Sequence, residues 1–576
     1  MIKKTEIKSF SIKIGVISVL TVSILTLYCY WGVWNFDFVV YDDPLFVTSN
    51  IFVKSGLNAE SLKWAFTSFD DANWIPLTRL SFFVHIHFLG VSPGGFHLEN
   101  LVLHVISSSL LFLFLFRSTG LWVESAAVSL LFALHPMNVE SVSWIAERKG
   151  VLSGFFWMLT LVFYFFYNKN RFVLWYLAVT ASFMLALMSK PSAVTLPVVL
   201  LLMDFWPLRR LTIHGIRLKS SVLKNALYEK IPLFTISIAM SAMAVISQKS
   251  GGAMVSLTEL PLVIRVENAV LNYFQYFYKM FVPLGLAVIY PNPHPLPILT
   301  IALTLLFFMT ITIASVLLLK RYPLVIVGWI WFVVTLLPVI GLVSVGSQNM
   351  SDRYSYIPYT GLFIALIFGG SLAIRHRSAK AFAAVIVSLF LVFLIQQTKK
   401  QVSYWQDSVT LFTHTNALIK NNEKVCLNLG LAYLNKGDYL QAVANIKHAS
   451  ELNPLYTDVY LKLGFAYASA GLYQEAAEAY KKALSITPGS YSAFINLGYA
   501  YLKSFQFENG HAAFKEALRL NSDSYEAYNG LGLILLNTGK PKEAAVYFQK
   551  ALSLNPLVKE VQENLKLSVL MSEKGQ

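Results

Sequence analysis

The chain of 576 residues is 56% hydrophobic and 13% charged, which excludes a wholly water-soluble protein, and its polarity is too uneven for one domain. The formal charge of +15 does not point to nucleic acid, because Lys and Arg sit in short clusters between apolar segments, where they orient membrane helices. With two cysteines, Cys29 in an apolar stretch and Cys426 in the polar C-terminal part, neither a disulfide framework nor a cysteine metal site can be built.

In chain order, Lys3, Lys4 and Lys8 precede the apolar run 12–31. The run is long enough to span a bilayer and lacks a small-x-small cleavage site, so it predicts a retained first helix. Apolar segments follow at 99–116, 121–136, 151–167, 172–188, 191–205, 231–247, 297–319, 323–343, 357–374 and 380–396, about eleven transmembrane helices in all. Lys3/Lys4/Lys8, Arg117, Lys169/Arg171, the loop 209–230, Lys320/Arg321 and Arg375/Arg377/Lys380 share one side if 248–296 does not cross. That side is the cytoplasm. The stretch 267–285 is then expected to lie on the outer membrane surface as an amphipathic helix, with Val266, Val270, Tyr273, Phe274, Phe277 and Phe281 at helical spacing and Asn272, Gln275 and Lys279 between them. Two large outer loops result, 32–98 and 248–296, the first with an amphipathic helix marked by Leu62, Ala65, Phe66 and Phe69.

From about 405 a period of 34 appears, in Leu429-Gly430, Leu463-Gly464, Leu497-Gly498 and Leu531-Gly532 and again in Pro454, Pro488, Ser522 and Pro556. This is the signature of tetratricopeptide (TPR) repeats, helix pairs that stack into a solenoid with a groove. The expected fold is all-α: an apolar bundle over 1–400, a connecting helix over 401–422, four repeats over 423–558 and a capping helix or tail over 559–576. Asn428, Lys462, Asn496 and Asn529 are candidates for holding an extended peptide in the groove, although Asn-Leu-Gly is also ordinary repeat sequence. Tyr433, Tyr467 and Tyr501 read as packing between helices.

Asp42 and Asp43 follow the first apolar segment, where carboxylates are costly unless solvated, paired or used. The run Tyr41-Asp-Asp-Pro44, with Trp64-Ala-Phe-Thr67, Asn73-Trp74, Pro76-Leu-Thr78, Phe96-His-Leu-Glu-Asn100, Leu134-His-Pro136, Val139-Glu-Ser-Val-Ser-Trp144, Ala146-Glu-Arg-Lys149, Lys190-Pro191 and Ser351-Asp-Arg-Tyr-Ser-Tyr-Ile-Pro358, resembles the transmembrane and TPR-containing (TMTC-like) family. The resemblance covers nearly the whole chain in order. Ile75 and Arg79 depart from it, where His and Trp are usual, which puts a catalytic role for that segment in doubt.

The resemblance implies a GT-C glycosyltransferase that moves a hexose, mannose above all, from a polyprenyl-phosphate carrier to Ser/Thr hydroxyls outside the cytoplasm. Such transfer needs a base, cations for the departing phosphate and a groove for lipid. Asp42 or Asp43 is the candidate base, the alternative being a helix cap or turn. Arg353, Arg148, Lys149 and Lys190 are candidates for the carrier phosphate, with Glu140 and Glu147 in support. The alternatives are a solvated loop for the 140–149 charges, a snorkelling anchor for Lys190 and a pair with Asp352 for Arg353. His97 and His135, with His104, read as satisfied histidines near the membrane rather than metal ligands. The resemblance implies no metal and no cofactor beyond the lipid-linked donor, a divalent ion staying open. It places the chain in a membrane, read here as a bacterial inner membrane with the TPRs periplasmic and binding the protein acceptor. A membrane-anchored TPR scaffold and a transferase acting on lipid or glycan are the alternatives.

Overall fold

The computed structural model describes residues 2–211, 220–292, 295–344 and 348–574. Part of the basic loop at 209–230, residues 212–219, lies outside the described residues, as do the side chains of Lys3, Lys4 and Lys8. Among the described residues the regular elements are helices and no strand occurs. The chain divides into two compact units, Met1–His414 and Thr415–Gln576. The division falls inside the segment 401–422 expected as a connector, and the first half of that segment belongs to the first unit: Trp405 is buried and its ring lies 5.8 Å from Trp144.

In the first unit, each of the eleven apolar segments lies on a helix. By length and composition, six of the described helices can cross a membrane: Ile12–Asn35, Pro93–Thr119, Ile145–Asn170, Val222–Ser250, Ile298–Leu317 and Arg377–Ser403. The five shorter ones are Trp122–Leu134, Val173–Ser189, Pro191–Phe205, Pro323–Val339 and Pro358–Ala373. Burial ranks them. The apolar stretch of Ile145–Asn170 is 56% buried by protein and that of Arg377–Ser403 only 6%, which makes the first central and leaves the second facing its surroundings with Phe382, Ile386 and Leu389. Close approach marks Pro323–Leu336 against Pro358–Ala373, where a Cβ on Gly328 would stand 2.2 Å from the Gly361 carbonyl, so any larger residue forces the helices apart.

The stretch expected on the membrane surface is the helix Leu262–Phe281, and its polarity is turned inward. Asn268, Asn272, Tyr276 and Lys279 are buried while Leu262, Val263, Val266 and Phe281 are exposed. Tyr276 donates to the Ser351 carbonyl at 2.8 Å and Asn272 to the Asn349 carbonyl at 2.8 Å, so the polar stripe serves the protein, not water.

Arg79, the departure from the family pattern, is a buried staple. Its guanidinium donates to the carbonyls of Ser68 at 2.9 Å and Asp70 at 3.0 Å and covers the Trp64 ring at 4.3 Å. It thereby shapes the loop that carries Asn73.

The second unit is four helix pairs and a last helix, Lys559–Lys574. The period-34 glycines sit where the paired helices touch: a Cβ on Gly464 would lie 2.5 Å from the Tyr480 ring and one on Gly498 2.6 Å from Phe514. At the turn between the helices of a pair, Gly437, Gly471 and Gly539 have φ of 83°, 78° and 77°, and the equivalent third residue is Phe505, at φ 60° and 76% exposed.

Candidate active site

Two short turns lead into the central helix: Val139–Ser143, then Ile145–Glu147, then the long helix from Arg148. Successive side chains on a helix point about 100° apart, so Glu147, Arg148 and Lys149 fan out to different neighbours. Glu147 and Lys149 reach a cavity of about 550 Å³ that is also lined by Tyr41, Asp42, Lys190, Gln348, Arg353 and Tyr354. Four segments far apart in sequence therefore meet at one space.

Glu147 is fully buried and is the hub of the cations. Lys190 Nζ lies 2.9 Å from its Oε2, with Lys149 Nζ 3.4 Å and Arg353 Nε 3.4 Å from its Oε1. Glu140 holds Arg353 from the other side, accepting from its backbone N–H at 3.0 Å and pairing with its guanidinium, which also covers the Trp144 ring at 5.3 Å. Burial pushes the Glu140 carboxyl above the usual carboxylate range, and the Arg353 charge pulls against that. A carboxylate with several cations at a cavity wall is prepared for a second anion, since removing its partners from water has already been offset.

The adjacent aspartates are separated by their surroundings. Asp42 is half-buried and lines the cavity. Asp43 is fully buried outside it and accepts from Val39 N–H at 2.8 Å and Ala146 N–H at 2.9 Å, one bond on each oxygen. It neither reaches the cavity nor caps its own turn, as the sequence allowed; it ties the loop after the first helix to the turn before the central one. Burial pushes its carboxyl up to about 7, against the two amides that favour the charged form. Tyr41 stacks on Trp144 at 5.5 Å and accepts from Gln348 Nε2 at 2.5 Å.

Arg148, expected to hold phosphate beside Lys149, is spent elsewhere. Its Nη1 lies 2.6 Å from Glu99, its Nη2 donates to the Phe96 carbonyl at 2.9 Å, and its Nε donates to Asn100. His85 meets the same Glu99 at 2.8 Å. Arg353 does not pair with Asp352, whose carboxylate accepts from Tyr290 at 2.8 Å. The histidines stand apart: His97 on the Asp37 carbonyl at 3.4 Å, His104 on Tyr356 at 2.8 Å and the Ala133 carbonyl at 3.1 Å, His135 on the Met280 carbonyl at 3.0 Å. Among the described residues no three His, Cys, Asp or Glu side chains gather as metal ligands would. Gln348 and Tyr354 were not singled out from sequence, though Tyr354 adjoins Arg353.

In the second unit, Asn428 donates to its own helix at Lys424 O, 2.7 Å away, and Asn529 is buried, donating to Tyr499 at 3.3 Å and accepting from Asn564 at 3.0 Å. Asn529 is thus packing between repeats instead of a groove contact. Lys462 and Asn496 stay half-buried.

The tetratricopeptide repeat family model matches residues 427–491 and 495–557. The chain is 21% identical over 406 residues to "Protein O-mannosyl-transferase F38B6.6" of Caenorhabditis elegans, a match covering 66% of this chain and 54% of that one. It is 22% identical over 417 residues to "Protein O-mannosyl-transferase TMTC3" of Mus musculus, covering 66% and 44%. The chain thus spans about half the length of the curated relatives it matches. Among solved structures, MamA is 23% identical with a TM-score of 0.25 and covers 26% of this chain and 87% of its own. Over about two thirds of its length the chain is thus similar to curated proteins named protein O-mannosyl-transferases, and it carries a tetratricopeptide array toward its C-terminal end.

Proposed function

We propose that the first unit transfers a hexosyl group, mannosyl by analogy with the names of its relatives, from a polyprenyl-phosphate carrier to a Ser or Thr hydroxyl of a protein acceptor outside the cytoplasm. The observation that carries this reading is that one cavity is lined by Asp42 together with Lys149, Lys190 and Arg353, while the other carboxylate on its wall, Glu147, is taken up by those three cations. Asp42 accepts the acceptor's hydroxyl proton while its oxygen attacks the anomeric carbon. The bond from that carbon to the phosphate oxygen breaks, and polyprenyl phosphate leaves with the electron pair, inverting the anomeric centre. Lys149, Lys190 and Arg353 stabilise the phosphate charge as it develops, held in place by Glu147 and Glu140. The apolar Val194, Val245 and Val343 on the cavity wall suit the carrier's first isoprene units. The repeats hold the acceptor chain.

The test uses purified protein in lipid with radiolabelled polyprenyl-phosphate mannose and a cell-envelope extract. Label entering protease-sensitive material, and lost in Asp42→Asn, supports the reading. Label entering lipid or glycan changes the acceptor class. No transfer, from folded protein that still captures envelope proteins, replaces the enzyme with a scaffold.

A further inference from the structure

Behind the cations lies a second, smaller space. It measures about 40 Å³ and shares Lys190, Ser192, Val339, Arg353 and Tyr354 with the large cavity as a common wall. Gly150, Ser153 and Trp157 recur at i, i+3 and i+7 and so line it with one stripe of the central helix, carrying it about 10 Å along the helix from Gly150. The space is small, and Ser153, Ser192, Thr195, Thr335, Tyr354 and Tyr356 bring hydroxyls to an otherwise largely apolar lining.

Its polar atoms are prepared but unused. Thr195 and Trp157 are among its lining residues and are 8% and 2% exposed, and their Oγ1 and Nε1 atoms are buried with no hydrogen-bond partner. Ser153 and Thr335 have spent their hydrogens on the carbonyls of Ala186 at 3.1 Å and Trp331 at 2.7 Å, which leaves their oxygens as acceptors. The lining residues therefore carry two buried, unpartnered donors, the cations Lys190 and Arg353 and several hydroxyl acceptors, but no carboxylate. A buried donor left without a partner is costly, so an apolar occupant is disfavoured. A group that donates and accepts at one atom, a hydroxyl, satisfies the wall. At a few times the space one water molecule needs, the volume fits a single hydroxylated carbon and not a sugar ring.

We propose that this chamber is a hydroxyl-recognition subsite that takes the exocyclic hydroxymethyl arm of the donor's hexose. The inference rests on the donor reading above and adds to it a source of sugar specificity. With the phosphate on the rim cations and the anomeric carbon toward Asp42, the arm points inward past Lys190 and Arg353 to Thr195 and Trp157. A pentosyl donor, which lacks the arm, leaves the chamber to water.

The experiment is equilibrium binding to the full chain in lipid, with three probes: a short-chain polyprenyl phosphate carrying mannose, the same carrier bearing lyxose, which has the same ring hydroxyls without the arm, and the bare carrier phosphate. The mannosyl carrier is expected to bind about tenfold or more tighter than the lyxosyl one. Thr195→Val, close to isosteric, and Trp157→Phe are expected to bring that ratio toward one while leaving the affinity for the lyxosyl and bare carriers unchanged. Equal affinity for mannosyl and lyxosyl carriers in the unaltered chain, or a ratio that survives Thr195→Val, overturns the subsite and leaves the chamber as a water pocket, with the donor reading intact. Failure of all three carriers to bind to cooperatively melting protein overturns the donor reading and this inference with it.

Discussion

The central helix Arg148–Asn170 carries a buried ion cluster at each end, and the two use the same chemistry to different ends. At the start, Glu147 collects Lys149, Lys190 and Arg353 on the wall of a large cavity. Toward the end, Asp204 takes Lys230 on one oxygen and Arg210 on the other at 2.9 Å, Tyr164 donates to it at 2.6 Å, and Glu229 accepts from Arg210 at 2.9 Å and Arg171 at 2.6 Å. Roughly 24 Å of helix separates the two. The difference lies in what the cations can still reach. The side chains of Lys190 and Lys149 are 17% and 14% exposed, that of Lys230 1%. Lys230 is spent on a buried carboxylate, whereas Lys149 and Lys190 keep an open side on the cavity.

Breaking the open end at its carboxylate should have the largest effect. Asp42→Asn is expected to lower kcat of transfer by roughly 10²–10⁴-fold, the usual worth of a positioned base, with thermal stability unchanged. A variant that transfers normally removes Asp42 from the chemistry. Next is the closed end: Lys230→Met leaves Asp204 short of a partner and should cost about 3–5 kcal/mol of stability in denaturant melts, with carrier affinity per folded molecule intact. Its counterpart Lys190→Met should do the reverse, weakening polyprenyl-phosphate binding by about tenfold, or about 1.4 kcal/mol, with a smaller loss of stability because Lys149 and Arg353 still serve Glu147. If both lysines affect only stability, the two ends do not differ as described.

Asp43 sharpens the contrast through pH. Its carboxyl is raised in the folded chain to about 7, so the stability it contributes is fully present below about pH 4 and is lost as pH rises through 7. Melting temperatures of the unaltered chain should fall across that window relative to those of Asp43→Asn, which has no proton to give up. Parallel profiles would show that the two backbone amides keep Asp43 charged throughout. The smallest effect is expected far from either cluster: Phe505→Gly relieves a bulky residue at φ 60° and should stabilise the repeat unit by about 0.5–1 kcal/mol in thermal melts.

Much of this was legible in the residues. The eleven apolar segments and the period of 34 are properties of local pattern, and the helices follow them. The motifs in Tyr41–Pro44, Ala146–Lys149, Lys190 and Ser351–Pro358 do meet, as segments, at one cavity. What sequence does not show is direction. Asp42 and Asp43 are neighbours in the chain yet end in different environments, and Arg148 leaves its neighbours because a helix turns it toward Glu99. The amphipathic pattern of Leu262–Phe281 was legible too, with its apolar side exposed, but pattern does not say whether the polar side seeks water or protein, and here it meets protein. Arg79, read as a departure, became legible only when its four carbonyl partners stood around it.

The tie between Val40 N–H and Ser408 Oγ, 2.8 Å long across 368 residues, sets a schedule for the making of the protein. The segment bearing Asp42 leaves the ribosome early, yet its supports, Ser408 and Phe412 beside Tyr41, come only after the last apolar helix. At about 5–20 residues per second, the wait is roughly 20–70 s. During that time the acidic turn is held by at most part of its surroundings, so the support of Tyr41 and Asp42 is complete only after translation has passed the last apolar helix.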